Sequence, residues 1–135
     1  MSKLVSPHGK EKHLKPLLLE GKELAEEQKR ADTLRKIPIT SREIGDTIMM
    51  GIGGFTPLDG FMGAADWEGV VTDMQMSDGV FWPIPVTVSV TKEDADAIGD
   101  GEEITLFDEK RGTAMAIMTV NEKYTIDKEL ECKEV

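Results

Sequence analysis

The stretch Ile84-Pro85-Val86-Thr87-Val88-Ser89-Val90 decides the fold class, because there the apolar period of the chain drops from about 3.6 residues to two. Ile84, Val86, Val88 and Val90 alternate with Pro85, Thr87 and Ser89, as a strand with one face in the core requires. Upstream the spacing is helical. From Glu20 to about Lys36, Leu24, Ala31 and Leu34 fall on one stripe and Glu26 stands four residues before Arg30, which predicts a surface helix. A short strand Ile37-Pro38-Ile39 follows. Thr40 and Glu43 then form the S/T-x-x-E capping box, whose reciprocal side-chain bonds open a helix to about Met50. A further helix from Ala64 to Met74 places Trp67, Val71 and Met74 on one face, and Ser77-Asp78-Gly79 turns the chain.

Downstream, Thr91 and Asp94 cap a short helix ending before Gly99, and Ile104-Thr105-Leu106-Phe107 reads as a strand. A polar turn over Asp108–Gly112 leads into a strand from Thr113 to Val120, whose apolar residues on both faces predict a place inside the sheet. Thr125 to Val135 is charged and weakly helical, with no glycine or proline to stop it, which suggests a chain cut from something longer. Residues 1–19, with Pro7, Pro16 and the turn-forming Ser6-Pro7-His8-Gly9, read as an extended arm that must dock to be ordered. A helix-rich first half followed by a strand-rich second half predicts an α+β fold rather than alternating βαβ units. One domain accommodates the 135 residues.

Charge and cysteine content narrow the function classes. The net charge of −10 repels phosphate backbones and anionic lipid surfaces, so neither a nucleic acid nor a membrane is an expected partner. Leu17-Leu18-Leu19 is the longest aliphatic run and is far short of the roughly 20 residues that span a bilayer. One cysteine, Cys132, cannot form an internal disulfide, and Met1-Ser2-Lys3-Leu4 leads into polar residues rather than an apolar leader core; both predict a cytoplasmic protein.

The chemistry-bearing residues favour packing over catalysis. Gly51–Gly60 is glycine-rich, but no G-x-x-x-x-G-K-[ST] spacing occurs, and Thr56 stands where a dinucleotide fingerprint needs glycine or alanine. The expectation is a loop whose Phe55, Leu58, Phe61 and Met62 fold back into the core while its glycines take positive φ. Asp94, Asp96, Asp100, Glu102 and Glu103 fail the calcium-loop pattern at Ile98 and read as a solvated acidic face. His8 and His13, five apart in the arm, do not make a helical zinc pair; the expected role of His8 is a buried hydrogen bond orienting the arm. Cys132 lies among Glu131, Lys133 and Glu134, with no reason for a depressed thiol pKa. The methionines from Met49 to Met118 occupy predicted core positions as gap fillers.

Three stretches together carry a resemblance: Ser6-Pro7-His8-Gly9, Gly53-Gly54-Phe55-Thr56-Pro57-Leu58-Asp59-Gly60-Phe61-Met62, and Asp78-Gly79-Val80-Phe81-Trp82-Pro83-Ile84-Pro85-Val86. In this order they resemble the N-terminal regions of ATP sulfurylases (sulfate adenylyltransferases). The Met49-Met50-Gly51 lead-in and Trp67 are similar to versions from sulfate-reducing bacteria, while Lys10 stands where the family often has a second glycine. The resemblance implies a PUA-like module, a mostly β, barrel-like sheet in the second half flanked by helices from the first half. It implies that residues 1–135 are a single N-terminal domain, and that the full-length enzyme turns ATP, with magnesium, and sulfate into adenosine 5′-phosphosulfate and pyrophosphate. The family's Arg-Asn-Pro-x-His-x-x-His machinery belongs to a later nucleotide-binding domain, as does the zinc that some members bind through cysteines; neither motif occurs in this sequence. The expectation is therefore no catalytic, cofactor-binding or metal residue in this chain, a catalytic domain of the same polypeptide as partner, and a homo-oligomer at full length. A free-standing PUA-like module binding RNA or protein is the alternative, and an oligomerisation domain a third reading.

Overall fold

The capping box at Thr40 forms as the sequence requires: the Thr40 hydroxyl accepts from the Glu43 backbone N–H at 3.3 Å, and the Glu43 carboxylate accepts from the Thr40 N–H at 2.8 Å. It opens the helix that organises the computed structural model, which describes residues 4–134; the parts of the arm and tail readings that concern Met1–Lys3 and Val135 lie outside the described residues. The described residues form, in order, α1 (Gly21–Ala31), β1 (Arg35–Pro38), α2 (Ser41–Gly51), α3 (Ala64–Asp73), α4 (Lys92–Ala97), β2 (Glu103–Asp108), β3 (Thr113–Thr119) and α5 (Lys128–Glu134).

The α+β class holds, and the sheet is open rather than closed. Its order is β1-β2-β3, with β1 parallel to β2 (Arg35 opposite Ile104) and β3 antiparallel to β2 (Met118 opposite Ile104). The parallel pair requires a long crossover, which α2, α3 and α4 supply. β2 is the centre: Ile104, Thr105 and Leu106 are almost wholly buried, and the Thr105 hydroxyl donates to the Ala31 carbonyl at 2.8 Å to tie α1 to the sheet.

Several expectations change. Residues 84–90 alternate in sequence but pair with no strand. Pro83 and Pro85 have no N–H to donate, and isolated bonds take the place of a ladder: the Ser89 N–H donates to the Glu43 carboxylate at 2.6 Å, the Arg42 guanidinium to the Thr87 carbonyl at 3.2 Å, and the backbone N–H of Met62 to the Val86 carbonyl at 2.9 Å. Without that strand there is nothing to close a barrel. β3, expected inside the sheet, is an edge strand of half-buried residues. α1 ends at Ala31 rather than near Lys36, because Arg35 to Pro38 are drawn into parallel pairing with β2. Met74 leaves the buried face of α3 as its left-handed C-cap (φ 54°) and is 50% exposed, and Val70 takes its place beside Trp67 and Val71. Met49 is also outside the core, whereas Met50, Met62 and Met76 fill it.

Two apolar clusters result. One joins Met50, Leu58, Met62, Val70, Val80, Trp82 and Val86; the other joins Ile37, Ile98, Ile104, Leu106 and Val120, with Phe61 packed against both. Each fully buried aliphatic side chain contributes roughly 1.5–3 kcal/mol. The 108–112 turn is held by the buried Asp108 carboxylate, which accepts from Lys110 N–H, Arg111 N–H and the Arg111 guanidinium at 3.0, 3.3 and 3.1 Å.

Tyr124, the single tyrosine, donates its hydroxyl to the Met62 carbonyl at 2.6 Å. Burial, then the negative charges of Glu122, Asp66 and Glu131, push its pKa up to about 12. The folded state thus favours the neutral phenol. Its stabilising contribution is whole below the unfolded pKa of about 10 and is lost as pH rises towards 12. Absorbance titration should give a midpoint near 12 for the folded chain and about 10 in denaturant; a native midpoint near 10 would show that the hydroxyl is solvated.

Candidate functional site

The three landmark stretches, spread over more than seventy positions of the chain, converge on Trp82. In the arm, Gly9 has φ 104°, and a Cβ there would stand 2.9 Å from the Pro57 side chain, so only glycine fits against the second landmark. His8 Nε2–H donates to the Phe81 carbonyl at 2.6 Å, and its ring lies 6.0 Å from Trp82 and edge-on to Phe81 at 6.5 Å. Phe55, from the glycine-rich stretch, meets Trp82 edge-on at 5.6 Å. Lys10, in place of the second glycine, reaches across to the Asp78 carbonyl. The Thr56 hydroxyl donates to the Gly53 carbonyl at 2.7 Å and accepts from Lys15 N–H at 3.1 Å, and Leu17 N–H donates to the Gly51 carbonyl at 3.0 Å. The arm is therefore docked on the Gly51–Pro57 loop at Gly9 and over Lys15–Leu18, and on residues 78–81 through His8 and Lys10. His8 does orient it, but from an exposed position rather than a buried one.

The Gly51–Gly60 stretch folds as a packing loop. Leu58 and Met62 are buried and Phe55 and Phe61 half-buried, as expected, but of its glycines only Gly53 has positive φ (81°). Gly54 is needed for another reason: a Cβ there would meet the Met49 side chain and carbonyl.

The remaining candidates stay apart. His13 pairs with Glu11 at 3.3 Å, away from His8. Of the acidic run, Asp96 and Asp100 are solvated, while Glu102 and Glu103 face Arg35 and Arg30 at 3.6 and 2.7 Å. Hydrogen bonds that the Arg30 guanidinium donates to Glu27 and Glu103 raise its pKa above its already high ordinary value. Cys132 is exposed on α5. Among the described residues no three His, Cys, Asp or Glu side chains come together as metal ligands.

A small polar cleft of about 440 Å³ opens between α2, the 84–89 segment and α5. Its cations, Arg42 and Lys128, are matched by Asp46 and Glu131, and burial raises the Asp46 pKa against the opposing pull of Arg42. Arg42 and Asp46 pair at 3.0 Å. Lys15, beside the landmark cluster, pairs with Glu11 at 3.3 Å. Among the described residues, Arg42 at the cleft and Lys15 at the landmark cluster thus each already face a carboxylate.

Two features escaped the sequence reading. One is the second carboxylate oxygen of Glu43, whose partner Ser89 lies 46 positions away. The other is a wide groove of about 910 Å³ between the Leu17–Leu19 run, α1 and β3; its only signal was three leucines in an arm without a helical period.

The sequence matches the PUA-like domain family over residues 5–135. It is similar to a sulfate adenylyltransferase from Syntrophobacter fumaroxidans, 62% identical over 135 residues, all of this chain and 33% of that protein. A sulfate adenylyltransferase from Chlorobaculum tepidum is 59% identical over 132 residues, 98% of this chain and again 33% of that protein. The chain thus spans about a third of the length of these relatives. Among solved structures it is similar to a hexameric APS kinase from Thiobacillus denitrificans, with a TM-score of 0.76 and 28% identity over 93% of this chain and 24% of that one.

Proposed function

From the premise that the chain belongs to the PUA-like domain family, we propose that it is the N-terminal, non-catalytic domain of a sulfate adenylyltransferase. The observation that carries this reading is the end-to-end match at 62% identity to a third of such an enzyme, on a chain whose four arginines each face a carboxylate. The whole polypeptide joins two anions: a sulfate oxygen attacks the α-phosphorus of ATP, forming adenosine 5′-phosphosulfate and expelling pyrophosphate. That step needs preorganised donors and cations around the phosphates. In this chain the nearest cations are already occupied by carboxylates and carbonyls. The work therefore falls to the rest of the polypeptide, and this domain frames it.

Magnesium–ATP and sulfate are accordingly substrates of the whole enzyme. Zinc, where a member of the family holds it through cysteines, finds no such set here, since the sole cysteine is an exposed one on α5. A homo-oligomer at full length is in keeping with the hexameric neighbour, and a cytoplasmic location with the unpaired cysteine. The net charge of −10 weighs against an RNA-binding module.

The test is ATP-dependent incorporation of labelled sulfate by the full-length polypeptide. Formation of adenosine 5′-phosphosulfate is expected; its absence, with a folded protein and magnesium present, would sink the assignment.

A further inference from the structure

Five of the large apolar side chains left exposed in this chain lie together. Leu17 (42%), Leu18 (63%), Leu24 (38%), Ile48 (49%) and Ile52 (58%) line the groove of about 910 Å³, and β3 forms another of its walls. A monomer rarely leaves so continuous an apolar surface in water without a partner for it. The strand beside it is equally unguarded. β2 occupies one side of β3 only, and Thr113–Thr119 contains no lysine, proline or charge of the kind that protects natural sheet edges. Val120 directs both its N–H and its carbonyl towards Glu102 and Gly101. With the strand period of two, the backbone groups of Ile117 and Thr119 point to the open edge.

The charged residues around the groove are one-sided. Glu27, Asp59, Glu103 and Glu122 line it, and its cation, Arg30, is held by Glu27 at 2.6 Å and Glu103 at 2.7 Å. An occupant must offer apolar side chains to the middle and positive charge to the rim. A second copy of this chain, docked across a two-fold axis, would bring the same acidic rim against itself. Nucleic acid and anionic lipid are repelled for the same reason. The relatives that match this chain end to end are about three times its length, so a tethered source of such a segment exists in them.

We propose that the groove and the free edge of β3 seat the remainder of the same polypeptide, through an extended apolar segment flanked by lysine or arginine that adds to β3 as a further strand. The inference rests on reading the chain as one domain of a longer enzyme. Strand addition satisfies the edge amides, the groove buries the apolar side chains, and the acidic rim fixes register.

Hydrogen exchange of the β3 amides, compared between the 135-residue chain and the full-length polypeptide, tests it. The Ile117 and Thr119 amides should exchange on the order of 100-fold more slowly in the full-length protein. The double variant Leu18→Glu/Ile52→Glu should abolish that protection in the full-length protein while leaving the melting temperature of the 135-residue chain unchanged. Leu14→Glu, an exposed arm leucine outside the groove, should leave the protection intact. Equal exchange in both proteins overturns the proposal. So does a concentration-dependent dimer of the 135-residue chain that protects the same amides, which would make the occupant a second copy. Because the readout is exchange and not turnover, a full-length protein without sulfate-dependent activity would refute the enzymatic assignment and leave this docking surface standing.

Discussion

Replacing Glu43 by alanine should lower the unfolding free energy by about 3 kcal/mol and the melting temperature by about 10 °C. The side chain is 1% exposed, and its two oxygens answer donors from distant parts of the chain. Oε1 accepts from Thr40 N–H at 2.8 Å and closes the capping box of α2; Oε2 accepts from Ser89 N–H at 2.6 Å and anchors the segment after Trp82. A cap contributes about 1 kcal/mol, and a hydrogen bond to a charged group about 1.5–3 kcal/mol. Alanine removes both acceptors and leaves a cavity beside a segment with no ladder of its own. Glu43→Gln should cost about half as much, since the amide oxygen can serve one donor while its NH2 faces the other. Urea unfolding of the three proteins checks the ranking. Equal stability of wild type and Glu43→Ala would mean that residues 84–90 are held by something else.

The second large effect has a sign opposite to helix propensity. Alanine in a helix interior is normally better than glycine by about 0.5–1 kcal/mol. At Gly69 in α3, however, a Cβ would stand within 2.4 Å of the Gln75 carbonyl oxygen, a backbone atom that cannot swing away. The closeness follows from the way α3 ends: Met74 takes the left-handed conformation, and Gln75 N–H turns back to the Gly69 carbonyl at 3.2 Å. The returning chain then runs over Gly69 towards Phe81 and Trp82, and Trp82 N–H donates to the Met74 carbonyl at 2.9 Å. Gly69→Ala should therefore destabilise by about 1–3 kcal/mol and loosen the cluster in which the arm is seated. Gly45, in α2, meets nothing within 4 Å, and Gly45→Ala should stabilise by about 0.4–1 kcal/mol. Thermal melts of the pair decide it, since propensity alone would move both in the same direction.

What could be read from the residues was local. Thr40 and Glu43 lie within one helical turn of each other, as do Thr91 and Asp94 at the start of α4, so both caps were visible in sequence. The resemblance to sulfate adenylyltransferases rests on short ordered motifs, and it agrees with the family match over residues 5–135. Where sequence reading failed, the cause was a partner far along the chain. Ile84 to Val90 has the alternation of a strand, but prolines and the Glu43 carboxylate settle its backbone outside any sheet. β3 has the composition of a central strand, yet β2 is the central one. An apolar edge and a central strand have the same sequence signature when the edge faces an apolar groove. The landmark motifs gave no hint that His8, Phe55 and Trp82 would meet around one indole, because adjacency between residues so far apart in the chain leaves no periodic trace.

The division of labour stands or falls on one assay of the purified 135-residue chain, supplied with ATP, magnesium and sulfate and followed for pyrophosphate. No sulfate-dependent pyrophosphate above the protein-free background is expected, under conditions in which the full-length polypeptide produces it. Sustained sulfate-dependent release by the short chain alone would place the reacting groups within these residues and contradict the account.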